Sequence, residues 1–192
     1  MNQPQHPLSI YLETERLFLR TYRLEDATLY YQIGQRNKSH LERYESGNIL
    51  MHLISEEEAE RAIQRLIASS DSGEAYFLGV FKKDTEEFVA QIYIGLYNRE
   101  LPEYEIGYIA DIAHQGKGYV TESVMAASKF VFEQLGAQRV RLECDDTNLK
   151  SSRVAERCGF VREGHMRENR KNADGSISGT LYYGLLRSEF NS

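Results

Sequence analysis

A glycine-rich stretch at residues 115–121 could do chemistry: it reads Gln-Gly-Lys-Gly-Tyr-Val-Thr and precedes a helical pattern. Glycine lets backbone amides approach a ligand without a Cβ atom in the way. The first amides of a helix have no partners within the helix, and with the helix dipole they can bind phosphate oxygens. The stretch therefore predicts a site for a phosphate-bearing ligand, with Lys117 adding a positive charge.

The residues of this loop separate it from two common nucleotide-binding motifs. A Walker loop has the pattern Gly-x-x-x-x-Gly-Lys followed by Ser or Thr. If Gly116-Lys117 were its Gly-Lys pair, the first glycine would stand at position 111. Gly118 follows Lys117 instead, and position 111 is Asp. A dinucleotide-binding fingerprint requires a third glycine, where this chain has Thr121. On the loop alone, glycines that serve only backbone geometry remain an alternative.

Length and composition indicate one soluble globular domain. The chain has 192 residues, of which 41% are hydrophobic and 27% charged. No repeat or linker divides it, so we expect a single domain over residues 1–192 with an ordered core over about 12–190. The formal net charge is −6 without a basic tail, which argues against a nucleic-acid partner and is compatible with cationic substrates such as amines.

Several classes of protein are not indicated. No apolar run approaches the roughly 18–20 residues of a membrane helix, and residues 1–13 lack the apolar core of a secretory signal. Cys144 and Cys158 are expected to be buried, reduced thiols of a cytoplasmic protein. No spacing of Cys or His residues predicts a metal site. We therefore expect no membrane span and no metal.

The loop must be positioned by the elements around it. In the first half of the chain the patterns predict a strand, a helix, a helix with a Ser-x-x-Glu start, and a two-stranded hairpin. Their predicted ranges are 16–23, 24–35, 56–69, and 76–81 with 88–96.

The second half contains the loop itself. Residues 104–111 form a predicted strand whose faces alternate, with Tyr104, Ile106, Tyr108 and Ala110 on one side and Glu105, Gly107 and Ile109 on the other. A helix then runs to Gly136, followed by a strand at 140–144, a helix at 149–158, and strands at 160–167 and 180–186 that flank a turn at 172–175. This order predicts an α/β domain with a central mixed sheet.

Two segments resemble the motifs of one enzyme family. Residues 105–111 and 115–122 resemble the acetyl-CoA-binding core of the GNAT acetyltransferases, and residues 146–160 resemble the following motif, an Asn that opens a helix ending in Gly-Phe. Residues 14–20, 40–44 and 181–187 resemble the Rim-type branch, whose members acetylate protein N-terminal amines and related substrates. The resemblance implies a GNAT fold: a mixed, mostly antiparallel central sheet flanked by helices and splayed at the acetyl-CoA site.

The resemblance implies acetyl-CoA as the cofactor and assigns residues to it. The strand before the loop would pair with the pantetheine arm, and the loop amides would bind the pyrophosphate. Val120 stands where the family has a small residue, so its side chain could crowd the pyrophosphate. Asn148 would lie near the arm, or it would only cap its helix, as Asn commonly does. The residues implied are Ile109, Ala110, Asp111, Ile112, Gln115, Gly116, Lys117, Gly118, Tyr119, Val120, Thr121 and Asn148.

The implied reaction is the direct attack of a neutral amine on a thioester, without a covalent enzyme intermediate. A carboxylate can accept the amine's proton, and the resemblance makes Glu105 the candidate base. Many family members use a Tyr as the acid where this chain has Ala155. The Rim-type resemblance implies Ser151 instead. The alternatives are an ordinary surface glutamate and an ordinary helix serine.

The implied partner is an amine acceptor, either a protein N-terminus or a small amine. By analogy, residues 37–48 and 170–177 would flank its cleft, and three tyrosines could line it: Tyr44, Tyr93 and Tyr183. The acidic pair at 145–146 could clamp an amine, although a solvated pair at a strand end is favoured. Exposed edge strands make a homodimer plausible. The alternative function is an acyl-CoA-binding regulator of the same fold without turnover.

Overall fold

Eight strands pair into one open sheet in the computed structural model, which describes residues 10–190. Across the sheet their order is β1-β2-β3-β4-β5-β6-β8-β7, and only β5 and β6 are parallel neighbours. This confirms the predicted mixed, mostly antiparallel sheet. The strands are β1 (Tyr11–Glu13), β2 (Leu17–Thr21), β3 (Ala75–Lys82), β4 (Phe88–Asn98), β5 (Glu103–Ala110), β6 (Arg139–Asp145), β7 (Val161–Lys171) and β8 (Ile177–Leu186).

The helices flank the sheet. Within the described residues they are α1 (Ala27–Leu41), α2 (Glu56–Ser72), α3 (Tyr119–Glu133), α4 (Leu149–Arg157) and α5 (Arg187–Phe190). The predicted cap of α2 is present, because Ser55 Oγ accepts a hydrogen bond from the Glu58 amide. The helix ends at Gly73, whose φ of 71° is left-handed. Most of residues 1–13, in which the sequence shows no secretory signal, lie outside the described range.

Helix α1 is longer than the sequence indicates. A short 3₁₀ turn (Leu24–Asp26) precedes it, and the helix continues to Leu41 rather than ending near residue 35. The reason lies in Asn37, which is fully buried and donates through Nδ2 to the Ile33 carbonyl and to Asp111. A polar residue that suggests a loop in the sequence is therefore satisfied inside a helix. The start of the predicted acceptor loop, residues 37–41, is helical.

Two further predicted strand boundaries are wrong. The first predicted strand, 16–23, corresponds to β2, which is shorter than predicted. The separate strand β1 precedes it. The last hairpin is longer than predicted, since β7 continues to Lys171 and β8 begins at Ile177. A register shift between Met166 and Arg170, with Glu168 at a φ of 55°, lets β7 continue beyond residue 167 towards the predicted turn.

The sheet separates two hydrophobic clusters. One packs against α3 and includes Ile106; the other packs against α1 and α2 and includes Ile109. We call them the α3-side core and the α1/α2-side core. Residues 106 and 109 lie on opposite faces of β5, as its predicted alternation requires. Strand β5 therefore contributes to both cores.

Strands β5 and β6 separate soon after they meet. They pair only at Glu103 with Arg139, Tyr104 with Val140, and Glu105 with Arg141. Residues 106–110 of β5 have no partner on β6 among the described residues. This confirms the splay that the family resemblance implies, and it leaves a gap within the sheet.

Candidate active site

A cleft of about 550 Å³ lies where β5 and β6 diverge. Its walls come from β4, β5, β6, the start of α4 and the segment between α1 and α2. It brings together Glu105 of β5 with Asn148 and Ser151 at the start of α4. Tyr44 and Tyr93 also line it, as expected. Tyr183 does not, because it is buried in the α3-side core.

Glu105 is a partly buried carboxylate beside one arginine. Burial raises the pKa of Glu105, and the nearby Glu143 raises it further, whereas Arg141 opposes both effects. The Arg141 Nε atom is 3.5 Å from Glu105 Oε2. A carboxylate with a raised pKa is a stronger base than an exposed one. Glu105 can therefore accept a proton from a group in the cleft.

Arg141 was not identified from the sequence. Its guanidinium donates to Glu143 at 3.1 Å and lies 3.9 Å above the ring centroid of Tyr97, with 14% of its side chain exposed. It is placed beside Glu105 because β5 and β6 pair in parallel at this point. Parallel pairing between strands distant in sequence leaves no local pattern, so no signal in the sequence could have shown this contact.

Ser151 lies in the first turn of α4, within hydrogen-bond distance of the Tyr108 hydroxyl. Asn148 caps the helix, since its Oδ1 accepts a hydrogen bond from the Ser151 amide at 3.1 Å. Tyr108 Oη is 2.8 Å from Ser151 Oγ and donates to the Ser151 carbonyl at 3.0 Å. The sequence identified Tyr108 only as a member of the apolar face of β5. Its alternation with Ile106 was the available signal, and it indicates packing rather than chemistry.

Both cysteines are free thiols. Cys144 is buried in β6 and lines the cleft. Burial raises its pKa, so the thiol stays protonated and is a poor nucleophile. Burial also raises the pKa of Cys158 to about 12, and its Sγ donates to the Thr121 carbonyl at 3.5 Å. These environments agree with a reaction that needs no covalent intermediate.

The glycine-rich loop presents unpaired backbone donors. Gly116 and Gly118 have φ values of 76° and 80°, a conformation that favours glycine. Helix α3 begins directly afterwards, at Tyr119. Across the described residues, the amides of residues 116–121 make no hydrogen bond within the chain. A Cβ atom at Gly116 would have no heavy atom within 4 Å, so the loop surface is open. These features fit a pyrophosphate group.

The polar side chains of the loop are engaged with neighbouring elements. Lys117 Nζ donates to the Ala113 carbonyl at 3.2 Å. Gln115 bridges two helices, with its Nε2 2.8 Å from His40 Nε2 and its Oε1 accepting from Lys150 at 2.8 Å. The loop is thus tied to the end of α1 and the start of α4. Backbone amides, and not these side chains, remain available to a phosphate.

Arg16 anchors the glycine-rich loop. It was not identified from the sequence either. Its Nη1 donates to the Lys117 carbonyl at 3.1 Å, and its Nη2 pairs with Glu122 at 2.6 Å. Glu122 also accepts from Thr14 Oγ1 at 2.6 Å. Burial raises the pKa of Glu122, but the hydrogen bonds from Thr14 and Arg16 outweigh it and lower the pKa overall. The charged carboxylate joins the N-terminal strands to the first turn of α3.

The segment expected to pair with a pantetheine arm is only partly free. The Asp111 amide donates to the Val89 carbonyl at 2.9 Å, and the Ile112 amide donates to Asn37 Oδ1 at 2.8 Å. The Asp111 carboxylate is fully buried and pairs with Arg36 at 2.5 Å. The amides of these two residues are therefore already bonded within the chain. Ile109 and Ala110 remain candidates for backbone contacts beside the gap in the sheet.

The surroundings of three further side chains near the site differ. Val120 is partly buried and packs against the α3-side core. Asp145 is neither solvated nor free: it is 4% exposed, accepts from the Thr147 amide at 2.8 Å, and is bonded by Ser178 Oγ. Asp146 pairs with His165 Nε2 at 2.8 Å. The favoured expectation of a solvated acidic pair is wrong at residue 145.

The lining of the cleft is acidic. Four carboxylates line it and Arg170 of β7 is the cation among the lining residues; the acids are Glu45, Glu105, Glu143 and Asp145. Desolvation raises the pKa of Glu45, an effect that Arg170 and a hydrogen bond with Asn48 oppose. A cationic group entering the cleft would be attracted before it lost a proton.

Two features are absent from residues 10–190. No group of three or more His, Cys, Asp or Glu side chains is arranged to hold a metal ion. No helix there has the length and apolar character needed to cross a bilayer.

Comparison with known proteins identifies a family. Residues 16–161 match the model of the acetyltransferase (GNAT) domain. The Escherichia coli ribosomal-protein-serine acetyltransferase is 28% identical over 162 residues, which are 83% of this chain and 87% of that protein. An uncharacterized N-acetyltransferase p20 of Bacillus licheniformis is 27% identical over 93% of this chain and 97% of its own. Mycobacterium smegmatis RimJ, solved in complex with CoA-disulfide, superposes with a TM-score of 0.84 at 20% identity, covering 97% and 91% of the two chains.

Proposed function

The chain belongs to the GNAT family of acetyl-CoA-dependent acetyltransferases and resembles its Rim-type branch, and from this premise we propose how it acts and on what. We propose that a primary amine attacks the thioester directly in the cleft between β5 and β6. Glu105 is the proposed base and Ser151 the proposed acid. The acceptor is a protein N-terminus or a small amine.

Acetyl-CoA, when bound, supplies the acetyl group as a thioester. The amides of residues 116–121 would hold its pyrophosphate, and the β5 segment at Ile109 and Ala110, which has no partner on β6, would hold its arm. Glu105 accepts the proton of the incoming amine, directly or through water. Ser151 donates a hydrogen bond to the sulfur as negative charge develops there. The neutral Cys144 thiol lines the same cleft without taking part.

One observation carries this proposal. Glu105 and Ser151 line a single cleft, at the place where the sheet opens and beside a row of unpaired amides. A base and an acid in one cleft are what amine acetylation requires, whereas binding alone would need neither. The acidic lining of the cleft supports an acceptor that arrives as a cation.

The test is to mix the protein with acetyl-CoA and a panel of amines and to follow the release of free thiol. The panel contains peptides with N-terminal Ser or Ala, a polyamine, an amino acid and an aminoglycoside. Thiol release with at least one acceptor, matched by acetylated product, is the expected result. CoA binding by calorimetry without thiol release across the panel would contradict turnover and favour the acyl-CoA-binding regulator.

Three further parts of the proposal concern the whole chain. A single catalytic domain over residues 1–192 is proposed because one sheet uses elements from both ends of the described range. A cytoplasmic location is proposed because both thiols are free. A homodimer is proposed because β7 is an exposed edge strand of eleven residues.

A further inference from the structure

Ser151 differs from the serine next to it in what its hydroxyl contacts. Ser152 Oγ donates back to the Leu149 carbonyl at 3.2 Å, the usual behaviour of serine inside a helix. Ser151 makes no such back-bond within the described chain. Its Oγ lies 2.8 Å from Tyr108 Oη instead, and its side chain also shares a hydrogen bond with the Cys144 thiol. Contacts from other elements therefore determine where the Ser151 hydroxyl points.

Tyr108 is well fixed for this contact. It lies on β5 beyond Glu105, the last residue that pairs with β6, and its ring packs against the α3-side core. Burial raises its pKa well above the ordinary value, so the phenol keeps its proton throughout the physiological range. It also lines the cleft together with Ser151. The hydroxyl is thus a permanent donor and acceptor at the edge of the site.

The phenol carries a single hydrogen, and two acceptors lie within reach. If the hydrogen goes to the Ser151 carbonyl at 3.0 Å, the phenol oxygen can accept the serine hydrogen. If it goes to Ser151 Oγ at 2.8 Å, the serine hydrogen must point elsewhere. A shift of the phenol hydrogen between these acceptors therefore changes whether the serine hydrogen is held or released.

We propose that Tyr108 is a positioning residue for Ser151: its hydroxyl holds Ser151 Oγ so that the serine hydrogen is available to the departing sulfur. The inference rests on the role of Ser151 in the proposed function. Tyr108 does not touch the reacting atoms, and it keeps its own proton throughout. Only the direction of its hydrogen bond changes, and a bond to Oγ stabilises that oxygen while its hydrogen is drawn toward sulfur.

The test is a double-mutant cycle with Tyr108→Phe and Ser151→Ala. Tyr104→Phe is the matched control, because Tyr104 lies on the same face of β5 and packs against the same core. The hydroxyl of Tyr104 has no hydrogen bond to any described residue. For every variant, kcat, the KM for acetyl-CoA and the melting temperature are measured with an acceptor on which the parent turns over.

We expect Tyr108→Phe to lower kcat roughly 3- to 10-fold, the effect of one hydrogen bond. The KM and the melting temperature should remain close to those of Tyr104→Phe. In the Ser151→Ala background, Tyr108→Phe should cause no further loss, because the oxygen that it positions is gone. A merely structural role would change the melting temperature and would persist without the serine.

Three other outcomes would overturn the inference. A slow Ser151→Ala variant with a Tyr108→Phe variant at parental kcat overturns the inference and leaves the proposed acid in place. Independent losses that multiply in the double variant overturn it as well, because Tyr108 would then act apart from Ser151. Parental kcat in Ser151→Ala overturns the proposed acid and the inference together.

Discussion

At the scale of single residues, the sequence indicated which side chains could react, but it did not indicate which neighbours contact them. Glu105 and Ser151 were assigned through family resemblance, and both line the cleft. Arg141 and Tyr108, which contact them, were not identified as functional, because these contacts join segments distant in sequence. The raised pKa of Glu105 depends on burial and on neighbours from other strands, so it could be found only from the three-dimensional structure.

The raised pKa of Glu105 leads to a prediction about pH. The base must be deprotonated, so kcat/KM should fall on acidification through an ionisation above the ordinary value of about 4.3 for glutamate. Glu105→Gln should remove that acidic limb and lower kcat by about 10²- to 10⁴-fold, with little change in CoA affinity. The pH–rate profile and calorimetric CoA binding check both statements.

Glu143→Gln is the matched control for this change. Glu143 also lines the cleft and also pairs with Arg141, but it is not the proposed base. Its replacement removes one negative charge and should preserve the acidic limb, shifted to lower pH because a like charge that raises the pKa of Glu105 is gone. A Glu105→Gln profile that matched the parent's would show that another group is the base.

At the scale of elements, local signals predicted most helices and the ligand loop. The cap at Ser55 and the left-handed glycines at 73, 116 and 118 follow from short-range chemistry. The end of α1 did not, because the burial of Asn37 depends on its bond to Asp111. The contact between Arg16 and the loop could not be predicted from short-range sequence patterns either, because it joins residues about a hundred positions apart.

The loop gives a prediction that separates backbone strain from ligand binding. Gly118 and Gly136 lie at opposite ends of α3, with φ values of 80° and 71°. Replacing either with Ala should destabilise the fold similarly, by about 1 kcal/mol, because both positions favour glycine. Only Gly118→Ala should also weaken CoA binding, by about tenfold or more, since it alters the amides that face the phosphates.

Chemical denaturation and calorimetry measure the two effects. Gly118→Glu extends the series by adding a negative charge where pyrophosphate is proposed to bind, and it should abolish measurable affinity. Unchanged CoA affinity in both Gly118 variants would contradict the assignment of the loop. A loss of affinity in Gly136→Ala equal to that in Gly118→Ala would attribute the effect to strain in α3.

At the scale of the whole molecule, the order of elements predicted the fold class, and the family resemblance implied the splay. The structure confirms both, with one parallel pair that is cut short after Glu105. Strand periodicity could not have given the extent of that pairing, because the residues of β5 alternate in the same way before and after the break. The site exists because the sheet stops pairing there, which is a property of the fold and not of any motif.

A single-turnover experiment tests the central claim, direct transfer in the cleft, most directly. Excess enzyme is mixed rapidly with acetyl-CoA, first alone and then with an acceptor identified in the amine panel, while free thiol and the mass of the intact protein are followed. Direct attack predicts thiol release only with the acceptor, equal to the acetylated product formed, and an unmodified chain throughout. Thiol release without acceptor, together with an acetylated chain at Cys144 or elsewhere, would contradict the account.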